Sequence, residues 1–246
     1  MPAHAPGLLI TCEHGGNRVP ARYAALFAGQ QALLESHRGL DIGSLVIARQ
    51  LAHRLEAPLV EATVTRLLVD LNRSPGRGRR YSEITRGLPA AARETLVQHY
   101  WAPYRGQVDA SLARLLAQHG RVVHVSVHTF AAVLDGVRRT ADIGLLYDPR
   151  RAPERAFCEQ WQQTLRHSAP ALSVRRNYPY LGRADGLTTA LRRRHPPSTY
   201  IGIELEINQA ITAQPEAAWA GLRQQLADSL AAALVAAPAQ VWQTPG

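Results

Sequence analysis

The stretch G-L-L-I-T-C-E-H-G-G-N, residues 7–17, decides how the fold of this chain is interpreted. It opens with a short apolar run, which is typical of a buried strand, and it ends in Glu13, His14 and a glycine pair that leaves room for a ligand. In open α/β sheets, ligands bind outside the carboxyl ends of the strands. His14 is therefore a candidate functional residue. Taken alone, the stretch favours a histidine that only caps a strand or hydrogen-bonds a loop.

Strand-like and helix-like patterns alternate along the rest of the chain. This alternation predicts an α/β fold, a single domain over residues 1–246, with a mixed, mostly parallel sheet and helices on both faces. The predicted strands after the opening run are residues 58–62, 66–71, 122–128, 143–147, 172–175 and 200–207. The predicted helices are residues 41–55, 89–118 with an interruption at Pro103, 153–166 and 216–235.

Composition limits the classes of function. The formal charge is +9, but all 28 basic residues are arginine and they are spread along the chain, so we do not expect nucleic-acid binding. An acidic small-molecule substrate is consistent with this charge. We expect no membrane span, because no apolar stretch approaches about 18 residues. Two cysteines and the absence of a signal-peptide pattern favour a cytoplasmic protein.

Three of the strongest predicted strands end in ionisable residues, namely His14, His128 and Glu206. A sheet of this class brings the carboxyl ends of its strands to one edge, so we expect these side chains to meet there. His124 precedes His128 by four residues, and a strand rises about 3.3 Å per residue, so roughly 13 Å separates the two. One metal ion cannot bind both. His128 is the candidate ligand, and His124 is expected in the buried layer beneath it.

A catalytic zinc site usually has three protein ligands and a water molecule, so a carboxylate is the expected third ligand. Asp41 lies at the start of a predicted helix in R-G-L-D-I-G-S, where a helix N-cap is an equally weighted alternative. Glu13 is adjacent to His14, so on an extended strand its side chain points to the opposite face. We assign Glu13 a supporting position behind the ligands and leave the choice between the two carboxylates open.

Glu204 and Glu206 lie two residues apart on one predicted strand and therefore face the same side. Unpaired buried charge is costly, so both carboxylates need a partner. Glu206 is nearer the carboxyl end and is the candidate general base. Glu204 is expected to orient a histidine, with an ion pair to an arginine as the alternative.

Loops near the predicted strand ends carry candidate substrate-binding residues. They are Asn72 and Arg73 in D-L-N-R-S and Arg183 in G-R-A-D-G. The planar guanidinium of arginine matches a carboxylate, so these residues suit an acidic small molecule.

Six short motifs between about residues 8 and 210 together resemble the N-formylglutamate amidohydrolase family. They are C-E-H-G-G-N, L-D-I-G, V-D-L-N-R-S, S-V-H-T-F, Y-L-G-R-A-D-G-L-T and G-I-E-L-E-I-N-Q. The family is similar in fold to zinc-dependent exopeptidases and to zinc amidases of cell-wall peptides. The resemblance implies a hydrolase of histidine catabolism that releases formate and glutamate from N-formyl-L-glutamate, with Zn2+, or Co2+ in its place, as the metal. At the matching positions, the resemblance implies that the metal ligands are His14, Asp41 and His128. It also implies that Glu206 is the general base and that Arg73 binds a carboxylate of the substrate.

The chain departs from the pattern of many relatives at two places, with Gly15-Gly16 for serine-glycine and Asn208 for an arginine. A related N-acyl amino acid therefore stays open as the substrate. The second enzyme interpretation is a zinc peptidase or cell-wall-type amidase, which the lack of a secretion signal disfavours. A non-catalytic small-molecule-binding protein is the alternative of another class. The oligomeric state is not predicted.

Overall fold

The computed structural model describes residues 5–76, 80–236 and 242. Its strands are β1 Gly7–Cys12, β2 Leu59–Glu61, β3 Val122–Phe130, β4 Val133–Leu134, β5 Val137–Arg138, β6 Ile143–Leu146, β7 Val174–Arg176 and β8 Tyr200–Asn208. Six of them form one sheet in the order β2-β1-β3-β8-β6-β7, while β4 and β5 form a separate hairpin. The first four strands of that order are parallel, and β6 is antiparallel to β8. The predicted mixed, mostly parallel sheet is confirmed.

Helices cover both faces of this sheet, as predicted. They are α1 Gln31–Glu35, α2 Ser44–Arg54, α3 Ala90–Leu96, α4 Ala102–His119, α5 Ala152–Ser168, α6 Leu187–Arg192, α7 Gln209–Thr212 and α8 Glu216–Ala236, with a 3-10 helix at Ala21–Phe27. The apolar faces of α2, α5 and α8 pack on one side of the sheet, and those of α4 and α6 pack on the other. Among the residues described, no helix is both long and apolar enough to cross a membrane.

Two predicted elements differ from the structure. Residues 66–71 were predicted as a strand, but they form buried turns beyond the edge strand β2, with Leu68 N donating to Thr65 O and Asp70 N to Arg80 O. Apolar side chains bury this segment, and its backbone groups are satisfied by turns rather than by a sheet. The predicted helix over residues 89–118 is interrupted by a π-helical turn at Val97–Trp101, just before Pro103.

The sheet register brings the polar strand ends together. Residues 122–130 of β3 pair in parallel with residues 200–208 of β8, and His128 is directly opposite Glu206. β1 pairs with β3 on its other side, so the residues that follow Cys12 emerge beside His128. We call the edge formed by the carboxyl ends of β1, β3 and β8 the carboxyl edge.

Candidate metal centre and cavity

His14, Asp41 and His128 converge at the carboxyl edge. His14 follows β1, His128 lies on β3, and Asp41 lies in the loop before α2, where its backbone N donates to His14 O at 2.9 Å. One ligand atom from each residue lies within 4.8 Å of the other two, and all three side chains are buried. The tertiary structure therefore forms a compact group of two imidazoles and one carboxylate. The first and the last of these three residues are 114 positions apart in sequence.

Asp41 does not cap α2. The N-cap residue is Gly43, with a left-handed φ of 85°, and it has no side-chain hydrogen bond to the helix. Asp41 Oδ2 instead accepts a hydrogen bond from His128 Nδ1 at 2.8 Å, and Asp41 Oδ1 accepts one from Arg66 Nη1 at 3.0 Å. The side chain is thus directed to the histidines and to a guanidinium.

Each histidine is held from behind by a carboxylate. His14 Nε2 lies 2.8 Å from Asp70 Oδ1, and His128 Nε2 lies 3.1 Å from Glu13 Oε2 and 2.9 Å from Ser126 Oγ. Metal-binding histidines commonly have such a partner on the second ring nitrogen, which fixes the ring orientation and the tautomer. This arrangement leaves Nδ1 of both rings directed toward the group.

Glu13 directly follows β1, which ends at Cys12. It contacts the ring of His128, whereas the ring of His14 contacts Asp70, so the two neighbours have different partners. Glu13 Oε1 also accepts a hydrogen bond from Tyr104 Oη at 2.9 Å, and Oε2 accepts one from Ser126 Oγ at 2.6 Å. These partners satisfy a carboxylate with no solvent exposure.

The structure shows another need for glycine at the two positions after His14, besides the predicted room for a ligand. A Cβ on Gly16 would lie 2.5 Å from Thr63 O, and a Cβ on Gly15 would lie 3.0 Å from Ala62 O. The glycines therefore allow the chain to pass close to the segment after β2. They are needed for this backbone approach, which aligns the turn that carries His14.

The three residues fit a divalent cation. His14 Nδ1 is buried and has no hydrogen-bond partner among the described residues, although it lies 3.4 Å from Asp41 Oδ2. Burial opposes ionisation of Asp41, but His14, His128 and Arg66 hold the pKa of its carboxyl well below the usual range. An unpaired imidazole nitrogen facing an ionised carboxylate is a donor set suited to zinc or a similar metal ion.

The pKa of His128 shifts in the opposite direction from that of Asp41. Burial lowers the pKa of its imidazole, but hydrogen bonds to Asp41 and Glu13 prevail and raise the pKa well above 6.5. In the absence of a metal ion, a proton on His128 compensates the surrounding carboxylates. A metal ion that binds at Nδ1 has to displace that proton.

Arg66 and Asp70 are functional candidates that the sequence interpretation missed. Arg66 Nη1 contacts Asp41, and its Nη2 lies 3.2 Å from Asp70 Oδ2, so one guanidinium joins the two carboxylates that face the histidines. Both residues belong to the segment wrongly predicted as a strand. The available signal was the motif V-D-L-N-R-S, residues 69–74, which contains Asp70.

Glu206 lies beside this group, directly opposite His128 in the register of β3 and β8. Its Oε2 atom is buried and unpaired among the residues that the structure describes. Burial, together with the nearby carboxylates of Asp41 and Glu204, raises the pKa of Glu206 to about 8. A carboxyl group with a pKa near neutrality is suited to accept and return a proton.

Glu204 does not orient a histidine. Its Oε1 accepts a hydrogen bond from Thr188 Oγ1 at 2.8 Å, and the histidines are held instead by Glu13 and Asp70. The reason is its position on β8, two residues below Glu206 and next to α6.

His124 lies beneath the group, as predicted. Its ring nitrogens bond to Thr11 Oγ1 at 2.9 Å and to Tyr200 Oη at 2.8 Å, and burial lowers its pKa to about 4. Both nitrogens are therefore occupied by partners within the protein.

A cavity of about 550 Å³ opens over the carboxyl edge. Part of its lining, which we call the polar wall, consists of His14, Asp41, Arg66, Asn72, Arg73, His128, Glu204 and Glu206. Another part, which we call the apolar wall, consists of Phe130, Ala131, Leu134, Tyr180, Leu181 and Ala184. A concave site with a few convergent polar groups is typical of small-molecule binding.

Two of the three predicted substrate-binding residues line this cavity. Asn72 Oδ1 accepts a hydrogen bond from Leu187 N at 2.6 Å, and Arg73 donates to Asp185 O. Arg183 does not line it. The loop turns so that Asp185 faces Ser74 N, and Arg183 is exposed over a separate depression rich in arginine.

Comparisons with known proteins agree with this architecture. A sequence profile described as N-formylglutamate amidohydrolase matches residues 7–213. The solved structure of gene product Atu2144 from Agrobacterium tumefaciens has a TM-score of 0.80 at 28% identity, covering 95% of this chain and 92% of that chain. N-formylglutamate amidohydrolase from Ralstonia eutropha JMP134 has the same fold, with a TM-score of 0.70 at 18% identity and 94% coverage of each chain. A comparison with curated proteins gave no match.

Proposed function

Because the chain belongs to the N-formylglutamate amidohydrolase family, we propose that it hydrolyses N-formyl-L-glutamate to formate and glutamate with a zinc ion held by His14, Asp41 and His128. One observation carries the proposal: three buried ligand atoms lie within 4.8 Å of one another, and the unpaired carboxylate of Glu206 lies beside them. Two imidazoles and a carboxylate form one of the ligand sets of catalytic zinc, which keeps a further position open.

When bound, the metal ion supplies Lewis acidity, which polarises the amide carbonyl and lowers the pKa of water. The remaining chemistry is proton transfer. Glu206 accepts a proton from the attacking water as the water oxygen bonds to the formyl carbon. The same carboxyl returns a proton to the nitrogen as the C–N bond breaks, so that glutamate leaves as an amine. Burial raises the pKa of Glu206 to about 8, which favours the return of the proton, and the positive charge of a bound metal ion would lower that pKa so that the carboxylate can accept one.

The residues behind the ligands keep this geometry in place. Asp70 and Glu13 fix the rings of His14 and His128 through their outer nitrogens. Arg66 balances the charge of Asp41 and Asp70. We assign the α-carboxylate of the substrate to Arg73, whose side chain is partly exposed at the cavity and next to Asn72.

The test combines metal analysis with formate release. We expect about one zinc ion per chain, and formate release from N-formyl-L-glutamate that stops when a chelator removes the metal and resumes with zinc or cobalt. Glu206→Gln is expected to retain the metal and to reduce kcat by about 10²- to 10⁴-fold. The control is Glu159→Gln, which removes an exposed carboxylate paired with Arg176 outside the cavity.

Several outcomes would refute parts of the proposal. Normal turnover in Glu206→Gln would remove Glu206 from the role of base. A protein without metal and insensitive to added zinc or cobalt would instead favour a non-catalytic small-molecule-binding protein. Hydrolysis of a muramyl peptide alone would contradict the substrate.

A further inference from the structure

A second depression, of about 390 Å³, shares none of its described lining residues with the cavity over the carboxyl edge. Its charged lining residues are Arg150, Arg151, Arg183, Arg192, Arg193 and Asp148. Ala184 and Asp185 line the cavity, whereas their neighbour Arg183 lines the depression. The molecule therefore has a second concave surface, in which arginine predominates. We call it the arginine depression.

Two of these arginines are largely buried and keep most of their charge. Arg151 donates to three backbone carbonyl oxygens, and Arg192 donates to two. The carboxylate beside them is Glu154, which lies 3.0 Å from Arg151 Nε and 2.9 Å from Arg192 Nε. Carbonyl oxygens satisfy N–H groups, but they do not cancel a formal charge. The two guanidinium groups therefore share one negative charge.

Hydrogen bonds from the same depression hold the backbone on both sides of Arg183. Arg192 Nη1 donates to Gly182 O at 2.5 Å, and Thr189 Oγ1 donates to Ala184 O at 2.7 Å. Thr189 and Arg192 belong to α6, and Arg193 follows directly after that helix. The loop that carries Arg183 is thus attached to the helix that leads into Arg193.

Positive charge exceeds negative charge in the arginine depression. Arg183 and Arg193 are exposed, and neither has a carboxylate within 4.0 Å in the part of the chain that the structure describes. Arg150 is paired with Asp148, through Nε at 3.0 Å and Nη2 at 2.8 Å. Five guanidinium groups therefore face two carboxylates, those of Asp148 and Glu154, and the excess is three positive charges.

This excess favours a ligand with several negative charges. A cleft lined by one sign of charge concentrates the electrostatic potential, and guanidinium groups match the oxygens of phosphate. A phosphate monoester carries a charge of about −1.5 to −2 at neutral pH, so a diphosphate matches the excess better than a single phosphate or a carboxylate. The volume of the depression lies in the range of about 300–1,000 Å³ that is typical of small-molecule sites.

We propose that the arginine depression binds a diphosphate group, either as free pyrophosphate or as part of a nucleoside diphosphate. Arg183 and Arg193 donate to the phosphate oxygens, and the positive charge that Arg151 and Arg192 retain strengthens the potential at the site. The site lies outside the cavity over the carboxyl edge, so the proposal is independent of the proposed hydrolysis.

The test is calorimetric titration with pyrophosphate at low ionic strength, where charge interactions are least screened. The double variant Arg183→Gln/Arg193→Gln should bind pyrophosphate at least about tenfold more weakly than the wild type, since it loses two charge-assisted contacts. The matched control is Arg114→Gln/Arg138→Gln, which removes the same charge from two exposed arginines outside the depression. This control should bind pyrophosphate like the wild type, and both double variants should keep the melting temperature because all four side chains are exposed.

Arg73→Gln distinguishes the arginine depression from the cavity. Arg73 lines the cavity alone, so this variant should keep the pyrophosphate affinity of the wild type. Weaker binding in Arg73→Gln, together with unchanged binding in Arg183→Gln/Arg193→Gln, would assign pyrophosphate to the cavity and overturn the proposal. A wild type that binds pyrophosphate through Arg183 and Arg193 but hydrolyses no N-formyl amino acid keeps this site and loses the proposed function.

Further ligands identify the source of the diphosphate group. Tighter binding of adenosine diphosphate than of pyrophosphate would support a nucleoside diphosphate, and equal binding would support recognition of the diphosphate group alone. Equal affinity for inorganic phosphate and pyrophosphate would overturn the proposal. So would equal losses in the two double variants, which would indicate an effect of net charge only. Binding of duplex DNA with a steep salt dependence, without binding of pyrophosphate, would show a nucleic-acid surface instead.

Discussion

The polar wall and the apolar wall of the cavity differ in how many partners each ionisable group has. In the polar wall, Asp41 contacts both His128 and Arg66, and behind this wall Asp70 contacts both His14 and Arg66. The apolar wall consists of side chains from β3, from the β4–β5 hairpin and from the loop after β7. Two of its rings, those of Phe130 and Tyr180, contact the guanidinium of Arg139.

This difference indicates that the polar wall serves the reaction and that the apolar wall serves the choice of substrate. A network in which Asp41 and Asp70 each have two partners tolerates little movement, which suits a site that has to keep a metal ion and a base in place. A wall of loop residues with apolar contacts can change without disturbing that network. We therefore expect substitutions in the polar wall to affect metal binding and kcat, and substitutions in the apolar wall to affect KM.

The largest effect is expected from loss of a ligand. His128→Ala should reduce zinc affinity by more than about 100-fold, exceeding the loss of an outer partner, and should abolish formate release. The matched control is His124→Ala on the same strand, which should lower the melting temperature but retain about one zinc ion per chain. Equal zinc content in the two variants, measured by elemental analysis, would contradict the assignment of His128.

A smaller effect is expected from loss of a residue that holds a metal ligand in place. Asp70→Asn removes the charge that faces His14 Nε2 and should weaken zinc binding by about 10- to 100-fold, as measured by competition with a chelator. Glu83→Gln removes an exposed partner of Arg38 and should leave zinc affinity unchanged. If both variants bind zinc like the wild type, the polar wall does not act as a network.

The pH dependence of metal binding follows from His128. Its pKa is raised well above 6.5, so the metal-free site binds a proton at neutral pH, and that proton competes with the metal ion. Zinc affinity should therefore fall as pH decreases, by up to about tenfold per pH unit below the pKa of His128. Calorimetry in buffers with different heats of ionisation should detect proton release on zinc binding. If zinc binding releases no proton between pH 6 and 7, His128 is already neutral in the metal-free protein.

The smallest effect is expected in the apolar wall. Leu134→Ala should raise KM for N-formyl-L-glutamate by about two- to fivefold and leave zinc content and kcat unchanged, because only apolar contact area is lost. Val137→Ala, on the exposed side of the same hairpin, is the control. A fall in kcat for Leu134→Ala would show that the two walls are coupled.

Much of the fold could be predicted because it is encoded locally. The apolar runs of β1, β3 and β8 are visible in the sequence, and so are the polar residues at their ends. The segment over residues 66–71 also has a high apolar content, yet it forms turns, and its backbone groups bond to Thr65 O and Arg80 O rather than to a strand. Local pattern cannot distinguish a buried strand from a buried turn, since both require apolar side chains.

The sequence by itself determined the α/β alternation and the chemistry of the strand ends, because strand and helix periodicities depend on near neighbours. Only the tertiary structure decided which carboxylate meets which histidine. Glu13 reaches His128 because β1 pairs with β3, and Asp70 reaches His14 since a loop folds over the carboxyl edge. Arg183 turns away from the cavity because loop paths are set by long-range packing, which no local spacing encodes.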